Sequence, residues 1–290
     1  MAKFVLSVFA DEIAPDLQSQ MDVLDKYGIK YIEMRGVNGK CIVDYSLDEV
    51  NDIKKQLDKR GFGISAVGSP IGKIGIKDEF EPHLKLFKHT VQIAKILGTK
   101  YIRMFSFFMP KGEPPEKYRD EVLRRWGEFV KAAEGEGVIL LHENEKEIYG
   151  DTAERCLDIL KSIDSGIVKA AFDPANFIQC DVKTYPDAYD LLKDYIVHMH
   201  IKDALYSNHG VVPSGYGDGN VKQILKKLKD TGYEGFLTIE PHLASFKGFS
   251  ALEHDAKIDD TSGDGAKMFS IALSALLKIL KEIEQPAEFE

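Results

Sequence analysis

Hydrophobic positions along this chain alternate between two periodicities. Short apolar runs of strand length read FVLSVFA (4–10), KYIEMR (30–35), GISAVG (63–68), KYIRMFS (100–106), VILLHEN (138–144), IVKAAFDPAN (167–176), YIVHMHIKD (195–203) and GFLTIEPH (235–242). Between them lie segments whose apolar residues recur at helical spacing, as at Leu17, Met21 and Leu24, or at Leu225 and Leu228. These segments predict helices over 15–27, 46–60, 79–97, 115–136, 152–163, 184–193, 220–231 and 264–284. The punctuation agrees. Ser46 and Glu49 have capping-box spacing, Asn220 precedes an apolar-periodic run, and Gly28, Gly61, Gly98 and Gly232 stand where helices should end.

Eight strand–helix units with no linker, low-complexity tract or change of composition predict a single domain over 1–290, a closed (β/α)8 barrel. The competing doubly wound sheet lacks support, because no GxGxxG follows the first strand.

Polar chemistry is concentrated where such a barrel would use it. Glu143, Asp173, His200 and Glu240 each close an apolar run, in four consecutive units. In a parallel barrel the carboxyl ends of all strands converge on one face, so residues distant in sequence meet there. Three carboxylates and one imidazole suit one divalent ion of harder character. Mn²⁺, Mg²⁺ and Co²⁺ fit first, and Zn²⁺ is also compatible.

Composition narrows the partners. A 44% hydrophobic content supports a large core, yet no run reaches the length of a membrane span. The net charge of -9 argues against nucleic acid, whose binders concentrate Lys and Arg, and favours a small substrate. Cys41, Cys156 and Cys180 are odd in number and widely separated, which suggests neither a disulfide framework nor a thiolate zinc site. The apolar stretch of MAKFVLSVFADE is too short for a secretion signal and reads as the first strand, so the expected location is cytoplasmic. A homo-oligomer is left open.

The segments SVFADEIAPDLQSQMDVLDKYGIKYIEMR, HEN (142–144), FDPAN (172–176), HMHIKD (198–203) and GYGDGNVKQILKKLKDTGYEGFLTIEPH (215–242) resemble the sugar phosphate isomerase/epimerase family of xylose-isomerase-like TIM barrels. The resemblance implies one metal bound by Glu143, Asp173, His200 and Glu240. It also implies a metal-dependent isomerase or epimerase of a sugar, sugar phosphate or related polyol, with Glu143 and Glu240 as acid/base groups. There are two departures: many members read ENH where this chain has Glu143, Asn144 and Glu145, and many carry His where it has Asn176. That His contacts substrate in ketose epimerases and a second metal in type IV apurinic endonucleases, so its loss weakens both assignments. A dehydratase of an inosose- or dehydroshikimate-like ring and a non-catalytic sugar-binding barrel are the alternatives.

Secondary candidates for substrate contact are Glu33, Arg103, Asn176, Lys202 and His242. His198, His200 and Lys202 alternate along one run and share a side, with His198 expected one layer deeper as a hydrogen-bonded core residue. Lys202 has Asp203 or another nearby carboxylate as an expected partner, and Glu33 and Arg103 are alternatively a buried pair. In GYGDGN, Asp218 argues against a phosphate cradle and for a turn with Asn220 as helix cap.

Overall fold

The computed structural model describes residues 2–242 and 265–289. Eight parallel strands follow one another around a barrel: β1 (Lys3–Val8), β2 (Tyr31–Met34), β3 (Gly63–Gly68), β4 (Tyr101–Met104), β5 (Ile139–Glu143), β6 (Val168–Phe172), β7 (Ile196–Ile201) and β8 (Glu234–Ile239). Pairing of β8 with β1, from Lys3↔Glu234 to Val8↔Ile239, closes it. All eight strands expected from the apolar runs are present. A short segment that the apolar pattern does not mark, Ala287–Glu288, adds a parallel pairing to Phe4 and Val5 at the amino-terminal end of β1.

Strand alternation divides the core in two. Phe4, Leu6 and Val8 of β1 and Leu140 of β5 face the helices and belong to the large outer core. Leu141 packs inward against Ala66 and Ala171, plugging the barrel axis. Glu143 has the parity of Leu141 and Asp173 that of Ala171, so both stand above the plug.

The helices are α1 (Leu17–Lys26), α2 (Leu47–Lys59), α3 (Glu81–Leu97), α4 (Arg119–Ala133), α5 (Ala153–Ile163), the short α6 (Pro174–Gln179) and α7 (Tyr189–Leu192), α8 (Val221–Asp230) and α9 (Gly265–Glu282). Ser46 and Glu49 form the expected reciprocal capping box, and Gly98 ends α3 in the left-handed conformation. Three expectations change. The 115–136 helix is divided, with a 3₁₀ turn at Pro115–Tyr118 before α4. The 184–193 segment is a wide turn followed by one turn of α-helix, because Tyr185 is extended ahead of Pro186, which lacks an amide hydrogen. Asn220 occupies the cap position of α8 but makes no cap bond; its amide donates to Asp218 O instead. For α9, the expected first residue, 264, lies outside the described residues.

The loop after β7 is organised by Asp203. Its carboxylate accepts backbone N–H bonds from Ala204 (2.9 Å), Gly215 (2.9 Å), Gly217 (3.1 Å) and Gly219 (2.8 Å). A Cβ on Gly217 or Gly219 would lie 2.4 or 2.6 Å from Asp203 Oδ1, so only glycine lets the backbone approach this closely. The turn expected at GYGDGN is present, wrapped around an anion supplied by the chain itself.

Two predictions follow from these contacts. Asp203→Asn keeps the volume but replaces an acceptor oxygen with an NH₂ group, at a cost of about 1–3 kcal/mol for each buried amide left unpaired. Denaturant melts should show the loss, and hydrogen exchange should accelerate at Gly215, Gly217 and Gly219; unchanged exchange would refute the clamp. His83 Nε2 accepts the Gly72 N–H at 2.7 Å, which only the neutral ring can do. Burial, aided by Arg125, lowers its pKa from the ordinary 6.5 to about 4. The folded-state value is the lower one, so protons favour the unfolded chain, and this contribution is intact above pH 6.5 and declines as pH falls towards 4. His83→Gln should flatten the stability slope in that window, measured by urea melts at several pH values.

Candidate active site

Four successive strand ends deliver four donors to one point. Glu143 is the last residue of β5, Asp173 follows β6 and caps α6, His200 lies in β7, and Glu240 follows β8. One donor atom from each lies within 4.8 Å of all the others, and all four residues are buried. The strand-end criterion thus brings together the residues it selected.

Neighbouring side chains fix this cluster. Glu143 Oε1 accepts from His200 Nδ1 (2.9 Å) and Asn176 Nδ2 (3.2 Å), and Glu143 Oε2 lies 3.3 Å from Arg103 Nη1. Asn144 ties the ends of β5 and β6 together, accepting the Asp173 N–H at 2.9 Å and donating to Asp173 O at 2.8 Å. Asp173 Oδ1 accepts the Asn176 N–H. Among the described residues its other oxygen has no partner in hydrogen-bond geometry, although Lys202 Nζ stands 3.1 Å away. Lys202 also reaches Glu240 Oε2 at 3.3 Å. Asp203, the alternative partner, is committed to its loop.

Burial and charge pull these groups in opposite directions. Burial raises the Glu240 carboxyl, but Lys202, His242 and His200 outweigh it and hold the group well below the usual carboxylate range. Burial likewise opposes ionisation of Glu143, and His200 and Arg103 overcome it. For Asp173 burial prevails over Lys202, with Glu240 and Glu143 adding to it, and the value rises to about 6. Burial lowers His200, yet Glu143 and Glu33 raise it well above its ordinary value.

A divalent cation fits this donor set. Three carboxylates and an imidazole converge, and one buried Asp173 oxygen lacks a hydrogen-bond partner.

A lower layer supports the site. Glu33 is fully buried, with His198 Nε2 at 2.8 Å from one oxygen and His200 Nε2 at 3.3 Å from both. It pairs with the histidines and not with Arg103. His198 Nε2 also meets Thr238 Oγ1 at 2.8 Å, the hydrogen-bonded core position expected for it. Around the rim, His242 Nδ1 lies 3.0 Å from Glu240 Oε1 and 3.4 Å from Glu12 Oε1. Arg35 binds Asp11, Glu12 and Glu240. Sequence reasoning passed over Asp11, Glu12, Arg35 and Asn144, although Arg35 closes the second apolar run and Asp11 and Glu12 follow the first. The strand-end test that found the four donors would have found these too.

The family model described as a xylose isomerase-like TIM barrel matches residues 21–262. An L-ribulose 3-epimerase structure superposes with a TM-score of 0.73 at 15% identity, covering 98% of this chain and 96% of that one. The IOLI protein with a bound zinc atom gives 0.71 at 16% identity, over 97% and 99%. A probable 3-DHS dehydratase of Bacillus anthracis, involved in petrobactin synthesis, gives 0.69 at 15%, over 96% and 99%. At these identities the solved structures speak for the fold. An uncharacterized protein of Methanocaldococcus jannaschii is 30% identical over 125 residues, 39% of this chain and 40% of its own length. The chain spans half or less of the length of the curated relatives it matches. With a closed eight-stranded parallel barrel and a family match running from α1 past the end of β8, the chain belongs to the xylose isomerase-like TIM barrel family.

Proposed function

We propose that this protein is a divalent-metal-dependent isomerase or epimerase of a sugar or related polyhydroxy carbonyl compound, acting by proton abstraction beside the carbonyl. The observation that carries this reading is the convergence of Glu143, Asp173, His200 and Glu240 at the carboxyl ends of β5 to β8. The similarity in fold to an L-ribulose 3-epimerase supports it. Those four residues hold the ion. When bound, it supplies Lewis-acid polarisation of a substrate carbonyl and offsets developing negative charge.

The remaining chemistry belongs to the chain. Glu143 and Glu240 are both held ionised by neighbouring cations, the state a general base requires. They project from strands three apart around the barrel and so approach a substrate from different walls. One, ionised, removes the proton from carbon to leave an enediolate and keeps it; the other, having taken a proton from solvent before the cycle, delivers that different proton, and exchange of both carboxyls with solvent resets them. Delivery to the opposite face inverts a stereocentre, whereas delivery to the neighbouring carbon exchanges aldose and ketose. Lys202, between Asp173 and Glu240, places an ammonium beside the reacting oxygens. Asn176 and Arg103 orient Glu143, and His242 orients Glu240.

Anomalous scattering from crystals grown with Mn²⁺ should place one ion among the four donors; a peak elsewhere would refute the assignment. Glu143→Gln and Glu240→Gln should each lower turnover by about 10²- to 10⁴-fold, with circular dichroism unchanged. In D₂O, followed by NMR, the two variants should differ in which epimer still exchanges its C–H proton. Wild-type inversion rates in both would eliminate the two-glutamate scheme, and loss of water from substrate in the unaltered enzyme would move the protein to the dehydratase reading, which the fold similarity to the Bacillus anthracis protein also suits.

A further inference from the structure

Two buried guanidiniums stand at the barrel mouth, and they are satisfied very differently. Arg35 donates from Nε and Nη2 to Asp11 (2.7 and 3.1 Å) and from Nη2 to Glu12 (3.0 Å), and its Nη1 reaches Glu240 at 3.4 Å. Arg103 is only 6% exposed. Among the described residues its single carboxylate contact is Nη1 to Glu143 Oε2 at 3.3 Å, and its Nε is buried with no hydrogen-bond partner. A guanidinium carries five N–H donors, and leaving them unmade in a dry site is costly. A buried donor left unpaired in a native protein calls for an explanation, and beside a reactive cluster a bound group is one that fits.

The surroundings are shaped to keep the Arg103 plane fixed. Its guanidinium carbon lies 4.5 Å from the centre of the Phe105 ring and 5.5 Å from that of Phe9. Behind it Gly68 leaves space, since a Cβ there would come within 2.8 Å of Phe9 and 3.3 Å of Arg103 Nη2. Apolar faces and a missing side chain hold the fork, with Nη1 beside Glu143 and Nε unpaired.

A second, independent observation concerns phosphate. In barrels of this kind the loops after the seventh and eighth strands often form a phosphate site, and of the two the described residues include the first. Here the amides of Gly215, Gly217 and Gly219 are all consumed by the Asp203 carboxylate. A phosphate dianion would therefore find no amide cradle in this loop, while a guanidinium fork can seat a planar carboxylate through two parallel N–H bonds.

We infer that the substrate carries a carboxylate which docks on Arg103 and places the adjacent carbon beside Glu143, making it a hydroxy or keto acid of the sugar-acid class. The inference rests on the site proposed above for the enzymatic reaction.

The test is calorimetric, with D-glycerate, glycerol and inorganic phosphate as probes, on the full chain both loaded with Mn²⁺ and treated with EDTA. The EDTA arm removes chelation of the carboxylate by metal. D-glycerate should bind at least about 10-fold more tightly than glycerol, and Arg103→Met should weaken glycerate by about 10- to 100-fold and glycerol by several-fold less, the range expected for hydrogen bonds to a charged group. Arg103→Lys should fall between, and it carries the test if the methionine variant does not fold. The inference is overturned if wild type prefers glycerol or binds the two equally, if glycerate affinity in the folded variants stays within about twofold of wild type, or if phosphate binds more tightly than glycerate and loses that affinity in the variants. Separate Mn²⁺ titrations of wild type and Asp173→Asn report on the metal reading, so its failure is distinguishable from failure of the carboxylate assignment.

Discussion

Mutual compensation of buried charge is the constraint on which this barrel mouth depends. Ionised carboxylates can leave water only where cations or aligned donors replace the lost hydration. Glu143, Asp173 and Glu240 meet in one buried cluster, with Arg103, Lys202, Arg35 and two histidines interleaved among them. Each cation is tethered to a different wall. Arg35 comes from the end of β2, Arg103 from β4 and Lys202 from the end of β7, so the charge balance also fixes how the strand ends stand relative to one another.

Among the described residues Asp203 applies the same rule with backbone amides in place of a cation. Burial raises its carboxyl, and the backbone amides of Gly219, Gly215, Ala204 and Gly217 oppose that rise. Two successive residues, Lys202 and Asp203, therefore serve unlike ends. One side chain faces the reactive cluster, while the other gathers the loop beside it. Strand alternation makes the division of labour, because consecutive side chains leave a strand on opposite sides.

The sequence exposed the barrel because its two periodicities are long-range and redundant, so all eight strands and most helices were readable from apolar spacing alone. The four converging donors were readable because each sits where a run of hydrophobic residues stops. What stayed hidden depends on contacts between units. Nothing in the polarity of Glu33 distinguishes a mouth residue from one locked beneath two imidazoles, since that depends on its depth in the barrel. The commitment of the GYGDGN amides to Asp203 was equally hidden, because a glycine-rich turn has the same sequence whether it is empty or wrapped around an internal anion. The break at Tyr185–Pro186 follows from proline chemistry, which apolar spacing by itself does not register.

The pairing at β1 has a consequence for how the chain assembles. Along its length β1 bonds to Glu234–Ile239, and at its amino-terminal end also to Ala287–Glu288. Both partners are more than two hundred residues away in sequence, while the neighbour β2 contributes only the pairs Ser7↔Tyr31 and Val8↔Ile32. The first strand is thus held mainly by segments that follow it at long range. Such a separation puts a long loop between the paired strands, so the seam that closes the barrel cannot form before β8 has been made.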